Sequence, residues 1–255
     1  MEAIRKELFN LIIELQSLNS LQSFTLAGGT SLSIRFNHRY SIDIDLFTNK
    51  VVGKSGLELI ENEIRAFYKD SLKFCELINI ELGDQYCFLR ALISKNGIDV
   101  KIECLQNIQF IDPFEHYEAI RMISKKDIGI LKLRSASNRK AKKDIYDLDY
   151  ITDEIPLDHL FDQLTVKAEK YKGDNFRCLF DLDDELDPIA NLSLLLDFDN
   201  IDYTSLPSRP SHSNDRIDIV PGNKSWASAR SSWRRKVRNL MKQKGITPPP
   251  IKPIN

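Results

Sequence analysis

The sequence predicts a mixed α/β fold of the α+β kind, with a core built on a mixed sheet and a helical C-terminal part. Three observations predict it. The apolar run Phe24–Ala27 stops at Gly28-Gly29 and gives way to an amphipathic piece carrying Leu32, Ile34 and Phe36, which reads as strand, tight turn, helix. The stretch Ile42–Phe47 alternates apolar and acidic residues, and three further β-like runs lie between Phe74 and Leu105. From Ile123 onward the readable periodicity is helical.

The bulk properties fit that picture. With 255 residues and 42% hydrophobic content, the chain can bury a sizeable core, and its length suits one core domain plus a helical extension. No apolar run approaches membrane-spanning length, and Met1-Glu-Ala-Ile-Arg-Lys-Glu7 lacks the apolar stretch of a signal peptide. The expectation is a cytoplasmic protein with no membrane partner. Cys75, Cys87, Cys104 and Cys178 are widely spaced, without a C-x-x-C or Cys/His pattern, which argues for buried thiols rather than zinc ligands or disulfides. The net charge of -1 covers a gradient, acidic from Asp153 to Asp202 and basic toward the end.

Taken in order, Ile4, Leu8, Leu11, Ile12 and Leu15 recur at helical spacing, so the chain opens with an amphipathic helix over Glu2–Leu18. Asn49–Gly56 reads as a loop, and Leu57, Ile60, Ile64 and Phe67 mark the next helix. The β-like runs Phe74–Leu82, Tyr86–Ser94 and Ile98–Leu105 follow, with a hairpin signal at Asn96-Gly97. After Asp112-Pro113, Ser124 is an N-cap candidate with Asp127 as its box partner, for a helix running to about Ser137. The next helix starts near Arg139. Leu160, Phe161, Leu164 and Ala168 give another helical face, and 174–182 reads as a further short helix.

The chemistry concentrates in two of these stretches. Glycines let a backbone approach an anion, and a helix start offers unpaired N–H groups and the positive end of its dipole, so Gly28, Gly29 and Thr30 form a candidate phosphate seat. As a strand, Ile42–Phe47 points Asp43 and Asp45 to one face. Two carboxylates about 7 Å apart repel unless a cation lies between them, and hard oxygen donors of this kind suit Mg²⁺, which also binds substrate phosphates. The alternative is an edge strand with solvated acids. On the third β-like run Asp99, Lys101 and Glu103 share a face opposite Ile98, Val100 and Ile102, a pattern that surface exposure alone would also explain.

Gly28-Gly29-Thr30 followed by Asp43-x-Asp45 resembles the first motif of the DNA polymerase β-like nucleotidyltransferases. The surrounding Leu26-Ala-Gly-Gly-Thr-Ser-Leu32 and His38–Phe47 resemble the AbiEii/AbiGii toxin branch of that superfamily. The resemblance runs from about Phe24 to about Leu206 and fades beyond. It implies a third carboxylate on a neighbouring strand, a base or metal ligand, for which Glu103 is the candidate and Asp99 the reserve. It also covers an Asp-x4-Lys pattern at Asp127 and Lys132 and a Lys-Lys-Asp-x-x-Asp-Leu pattern over Lys142–Leu148. By the same resemblance Lys132 holds nucleotide phosphates, pointing toward the glycine turn, with Arg139, Lys142 or Lys143 nearby, while Asp144 and Asp147 orient the basic groups of the site. The alternative there is an ordinary surface helix with i,i+3 and i,i+4 ion pairs.

The implied protein is a nucleotidyltransferase toxin of a toxin–antitoxin or phage-defence system. It would use Mg²⁺ to transfer a nucleotide from an NTP to an acceptor RNA such as tRNA, and would have a cognate antitoxin as partner. The rival readings are a phosphotransferase with the same metal site and a non-catalytic relative that binds RNA or protein. The corresponding organisation is a nucleotidyltransferase core over 1–122, a helical part over 123–206, and a linker with a basic tail helix over 207–255. Within the tail, Ser225–Lys244 reads as a helix stopped by Gly245. Its Trp226, Trp233, Val237 and Leu240 favour docking on an acidic body, while its arginines offer RNA contact as the alternative. Asp181, Asp183 and Asp184 lack the spacing of a calcium loop.

Overall fold

A computed structural model describes residues 2–182, 186–200 and 216–250. The chain divides into two compact units, Met1–Ile128 with Lys167–Asp184, and Gly129–Val166 with Glu185–Asn255. Most of the linker expected from Pro207 to Pro221, and Asp183 and Asp184, lie outside the described residues. Among the described residues no helix is long and apolar enough to cross a membrane.

The first unit is organised on a seven-stranded mixed sheet. Its strands are β1 (Thr25–Leu26), β2 (Ile44–Phe47), β3 (Leu72–Ile78), β4 (Phe88–Lys95), β5 (Ile98–Leu105), β6 (Glu115–Tyr117) and β7 (Ile120–Met122). They lie in the order β3-β4-β5-β2-β1-β7-β6. β2 runs parallel to β5 and β1 parallel to β7, while the remaining neighbours are antiparallel. The Asn96-Gly97 signal is realised as the β4–β5 hairpin, with Lys95 opposite Ile98 and positive φ at both turn residues, as a two-residue turn of matching twist requires. The β6–β7 hairpin was not anticipated, because strands of three residues leave no alternation to count.

Three helices accompany the sheet: α1 (Lys6–Ser17), α2 (Gly28–Phe36) and α3 (Gly53–Tyr68). The periodic residues of α1 and α3 are their buried ones, Leu8, Leu11, Ile12 and Leu15 in the first and Leu57, Ile60 and Ile64 in the second. Phe67 is half exposed instead; Tyr68 takes the buried place. The expected short helix over 174–182 is two isolated turns of 3-10 helix, at Asp174–Phe176 and Leu179–Asp181. Asp181 spends its carboxylate on the Cys178 N–H at 2.9 Å. All four cysteines are buried free thiols.

The helix α4 (Lys125–Arg139) starts on Ser124, whose hydroxyl accepts from the Asp127 N–H at 3.0 Å. The buried Asp127 carboxylate accepts from the N–H groups of Ile111 and Asp112 at 2.9 and 3.0 Å, so it ties down a loop as well as the helix start. The second unit continues with α5 (Lys142–Glu154), α6 (Leu157–Lys170, to Val166 in this unit), a 3-10 stretch Leu192–Asn200 and α7 (Trp226–Gln243). Gly129 has a packing reason, since a Cβ there would press on Leu160 at 2.9 Å and Ile151 at 3.2 Å.

The basic tail helix is docked. Ala229, Trp233, Val237, Leu240 and Met241 are buried along one stripe of α7, and the Trp233 indole N–H donates to the Leu195 carbonyl at 3.0 Å. Trp226 stacks edge-on with Phe198 at 5.9 Å. Ser225 caps the helix by accepting from the Ser228 N–H.

Candidate active site

The site begins at the junction of β1 and α2. Gly28 has φ +64°, a conformation that costs a side chain roughly 1–2 kcal/mol, and it opens the helix. A Cβ on Gly28 would collide with the Asp45 carboxylate, whose Cγ stands 2.8 Å from that position. A Cβ on Gly29 would likewise collide with the Arg39 guanidinium, its Cζ at 3.1 Å. The two glycines therefore seat a carboxylate and a guanidinium on consecutive Cα atoms. That explains the Gly-Gly pair through groups of the chain itself. Arg39, 7% exposed, was absent from the sequence-derived list although it lies within the motif.

Thr30 differs from its expected role. Its hydroxyl is buried, donates to the Asp43 carbonyl and lies 2.8 Å from the Ser41 hydroxyl, so it braces the segment carrying Asp43 rather than facing a phosphate. Ser31 is spent on the Gly28 carbonyl at 3.0 Å. What the turn offers an anion is backbone, since first-turn amides have no acceptor inside their own helix.

The sheet register assembles the acids. Asp45 on β2 lies opposite Glu103 on β5, which lies opposite Arg90 on β4, so one row across three strands reads Arg, Glu, Asp. Ile44 and Leu46 are buried while Asp45 is partly exposed, as the alternation predicts. Asp43 stands just before β2, its side chain 27% exposed and 4.0 Å from the Lys101 ammonium. Lys101 in turn lies 3.1 Å from Glu103, and the Arg90 guanidinium holds the same carboxylate at 2.7 Å. Burial raises the Glu103 pKa, but Lys101 and Arg90 outweigh it and leave the group below the ordinary carboxylate range. Asp99, the reserve candidate, is exposed at the hairpin end of β5, four residues from Glu103.

These contacts decide how a divalent ion fits. Among the described residues no group of three His, Cys, Asp or Glu side chains is placed to hold a metal. Asp43 and Asp45 suit Mg²⁺ as a pair, because that ion commonly takes one or two carboxylates and completes its shell with water and substrate phosphates. Glu103, the expected third ligand, is engaged by Arg90 and Lys101.

In the second unit Lys132 on α4 is 7% exposed, its ammonium 2.6 Å from Asp144 and 2.8 Å from Asp147, both of α5 and both fully buried. Arg139 adds a contact to Asp144 at 2.8 Å. Burial pushes the Asp144 pKa up, yet Arg139 and Lys132 bring it down to about 2. The stretch is therefore no ordinary surface helix. Lys143, half-buried, occupies the first turn of α5. The opposite face of α5 carries Asp149, fully buried between Lys224 and Lys236 at 2.8 Å each.

The mixed seven-stranded sheet, with the glycine-seated Asp45 beside Asp43, is the setting in which a family comparison places the chain among nucleotidyltransferases. The model of the AbiEii nucleotidyl transferase toxin family, type IV toxin–antitoxin system, matches residues 15–240, and the chain belongs to that family. The match takes in most of α7, so the expected fading beyond Leu206 is corrected. The uncharacterized protein aq_aa25 of Aquifex aeolicus (strain VF5) is 26% identical over 156 residues, 59% of this chain and 68% of that protein. A crystal structure from H. pylori assigned as a nucleotidyltransferase shares the fold at TM-score 0.52 and 12% identity, covering 94% of this chain and 97% of that one. The Megavirus polyadenylate synthase overlaps only at TM-score 0.32 and 15% identity, over 97% of this chain and 45% of that one.

Proposed function

We propose that this nucleotidyltransferase uses Mg²⁺ to move a nucleotide from an NTP to an RNA acceptor of the tRNA class, as a cytoplasmic toxin restrained by an antitoxin and acting in phage defence. The observation that carries the reading is the pair Asp43 and Asp45, the Asp45 carboxylate seated on Gly28 at a helix start and the Asp43 backbone carbonyl accepting from the Thr30 hydroxyl. Asp43 and Asp45 are the residues that hold Mg²⁺, which when bound supplies charge neutralisation at the triphosphate oxygens.

The remaining steps belong to the chain. First-turn amides of Gly28, Gly29 and Thr30 meet phosphate oxygens. Lys132, held by Asp144 and Asp147, and Lys143, next to Asp144 in the first turn of α5, are the basic groups of the second unit. The acceptor hydroxyl oxygen forms a bond to the α-phosphorus as the α–β bridging P–O bond breaks, and pyrophosphate leaves. The hydroxyl proton passes to water as that bond forms.

The test is incubation with each of the four α-labelled NTPs, Mg²⁺ and total cellular RNA. The expected product is labelled RNA of tRNA size from α-label but not γ-label. Transfer of γ-label would make the protein a phosphotransferase, and label confined to other RNAs would overturn the acceptor class.

A further inference from the structure

We propose that the outward face of α7 is a docking surface for RNA, which engages the phosphate backbone through Arg235 and Lys242. That this RNA is the acceptor rests on the function proposed above; the surface itself rests on the helix. Between Trp226 and Gln243 α7 has no acidic residue. Its buried stripe, Ala229, Trp233, Val237, Leu240 and Met241, fixes which side is turned inward. At about 100° per residue, the positions opposite that stripe are Ser228, Ser231, Arg235, Asn239 and Lys242, and all five are exposed. Docking and RNA contact therefore use opposite sides of one helix.

The fold divides the cations of the tail. Lys224 and Lys236 are spent on Asp149 and Asp153, and Lys244 on Asp162. The side chains of Arg235 and Lys242 make no ion pair or hydrogen bond among the described residues. They stand on one line, about 10 Å apart along the axis. The chemistry of the face selects its partner. A protein interface has an apolar centre, and none of the exposed large apolar side chains among the described residues lies on α7. What the face presents instead is two cations with the Ser228 and Ser231 hydroxyls and the Asn239 amide around them. Phosphate oxygens accept from every one of these groups and carry the opposite charge. The face holds no aromatic ring for stacking, so it grips backbone and is indifferent to base sequence.

The test is binding of fluorescently labelled bacterial tRNA to the nucleotide-free full chain across a salt series. Arg235→Gln/Lys242→Gln should raise Kd about tenfold at low salt and flatten the log–log salt slope by about 1.5, because two phosphates are no longer neutralised. Arg235→Lys/Lys242→Arg, which preserves the charge, should bind as the wild type does. Lys6→Gln/Lys73→Gln removes the same charge at exposed positions of the first unit and should change Kd by less than about twofold. Unchanged affinity and slope in the Arg235/Lys242 Gln pair, with wild-type binding intact, would overturn this surface and leave the acceptor reading standing. Equal losses in the Lys6/Lys73 pair would also overturn it, by making net charge the cause. So would RNA binding that survives the Gln pair while binding to phosphatidylglycerol vesicles is lost, which would mark a lipid surface. A wild-type chain that binds no RNA would overturn both readings. If the Gln pair weakens RNA binding but the wild type labels no RNA from any α-labelled NTP, the surface stands and the acceptor reading fails.

Discussion

Two acidic clusters, one on the sheet and one on α5, have nearly the same composition and opposite settings. Asp43 and Asp45 are partly exposed, and Lys101 lies 4.0 Å from Asp43 and 3.1 Å from Glu103. Asp144, Asp147 and Asp149 are fully buried, and Lys132, Arg139, Lys224 and Lys236 neutralise them at 2.6–2.8 Å. A buried charge without a partner costs several kcal/mol, so the acids of α5 must be matched inside the chain. The sheet acids, being partly exposed, are also reached by water, which weakens that requirement. The difference separates acids matched wholly inside the chain from acids that solvent shares.

Removing Asp144 is expected to cost most. Asp144→Asn leaves Lys132 and Arg139 under-matched at a fully buried position, and the stability measured in urea should fall by about 3–5 kcal/mol. Lys236→Met should follow at about 3 kcal/mol, because that ammonium also bonds the Asp149 carbonyl, Thr152 and Asp153. A loss under about 1 kcal/mol in both would erase the distinction between the clusters.

Acid sharpens it. Asp144 has its folded pKa depressed to about 2, so the stability it contributes is fully present above the unfolded value and drains away as pH falls from about 4 to 2. The expected loss is about 2 kcal/mol, read as a drop in urea midpoint that is absent from Asp144→Asn. Equal slopes in the two proteins would contradict the assignment. Lys244→Met, which removes an exposed pair with Asp162, should change stability by less than about 1 kcal/mol. The smallest stability effect belongs to the sheet. Asp43→Asn and Asp45→Asn should abolish nucleotide transfer with the melt shifted by no more than about 0.5 kcal/mol, and an active variant would remove that residue from the site.

The parts of this architecture written in short-range pattern were legible. Alternation gave β2 and β5, Asn96-Gly97 gave the β4–β5 hairpin, and the glycine pair with Asp43 and Asp45 marked the stretch where β1, α2 and β2 meet. What stayed hidden depends on registers and on distant partners. Nothing near Glu103 in sequence reveals Arg90, which reaches it only through the β4–β5 pairing. A hydroxyl beside two glycines suggested a phosphate contact at Thr30, whereas the chain turns it inward to Asp43. The Lys-Lys-Asp-x-x-Asp-Leu pattern identified Asp144 and Asp147 but not Asp149, whose partners come from beyond residue 220.

That last pairing has a consequence for biosynthesis. Lys236 lies 87 residues after Asp149, so a nascent chain exposes α5 with one acidic face unmatched on the order of ten seconds before its lysine is polymerised. Until α7 is made, α5 lacks the charge balance that lets it be buried. A ribosome-bound fragment ending before Lys224 therefore carries α5 without either lysine partner of Asp149, and that face is completed only once Lys236 has been made.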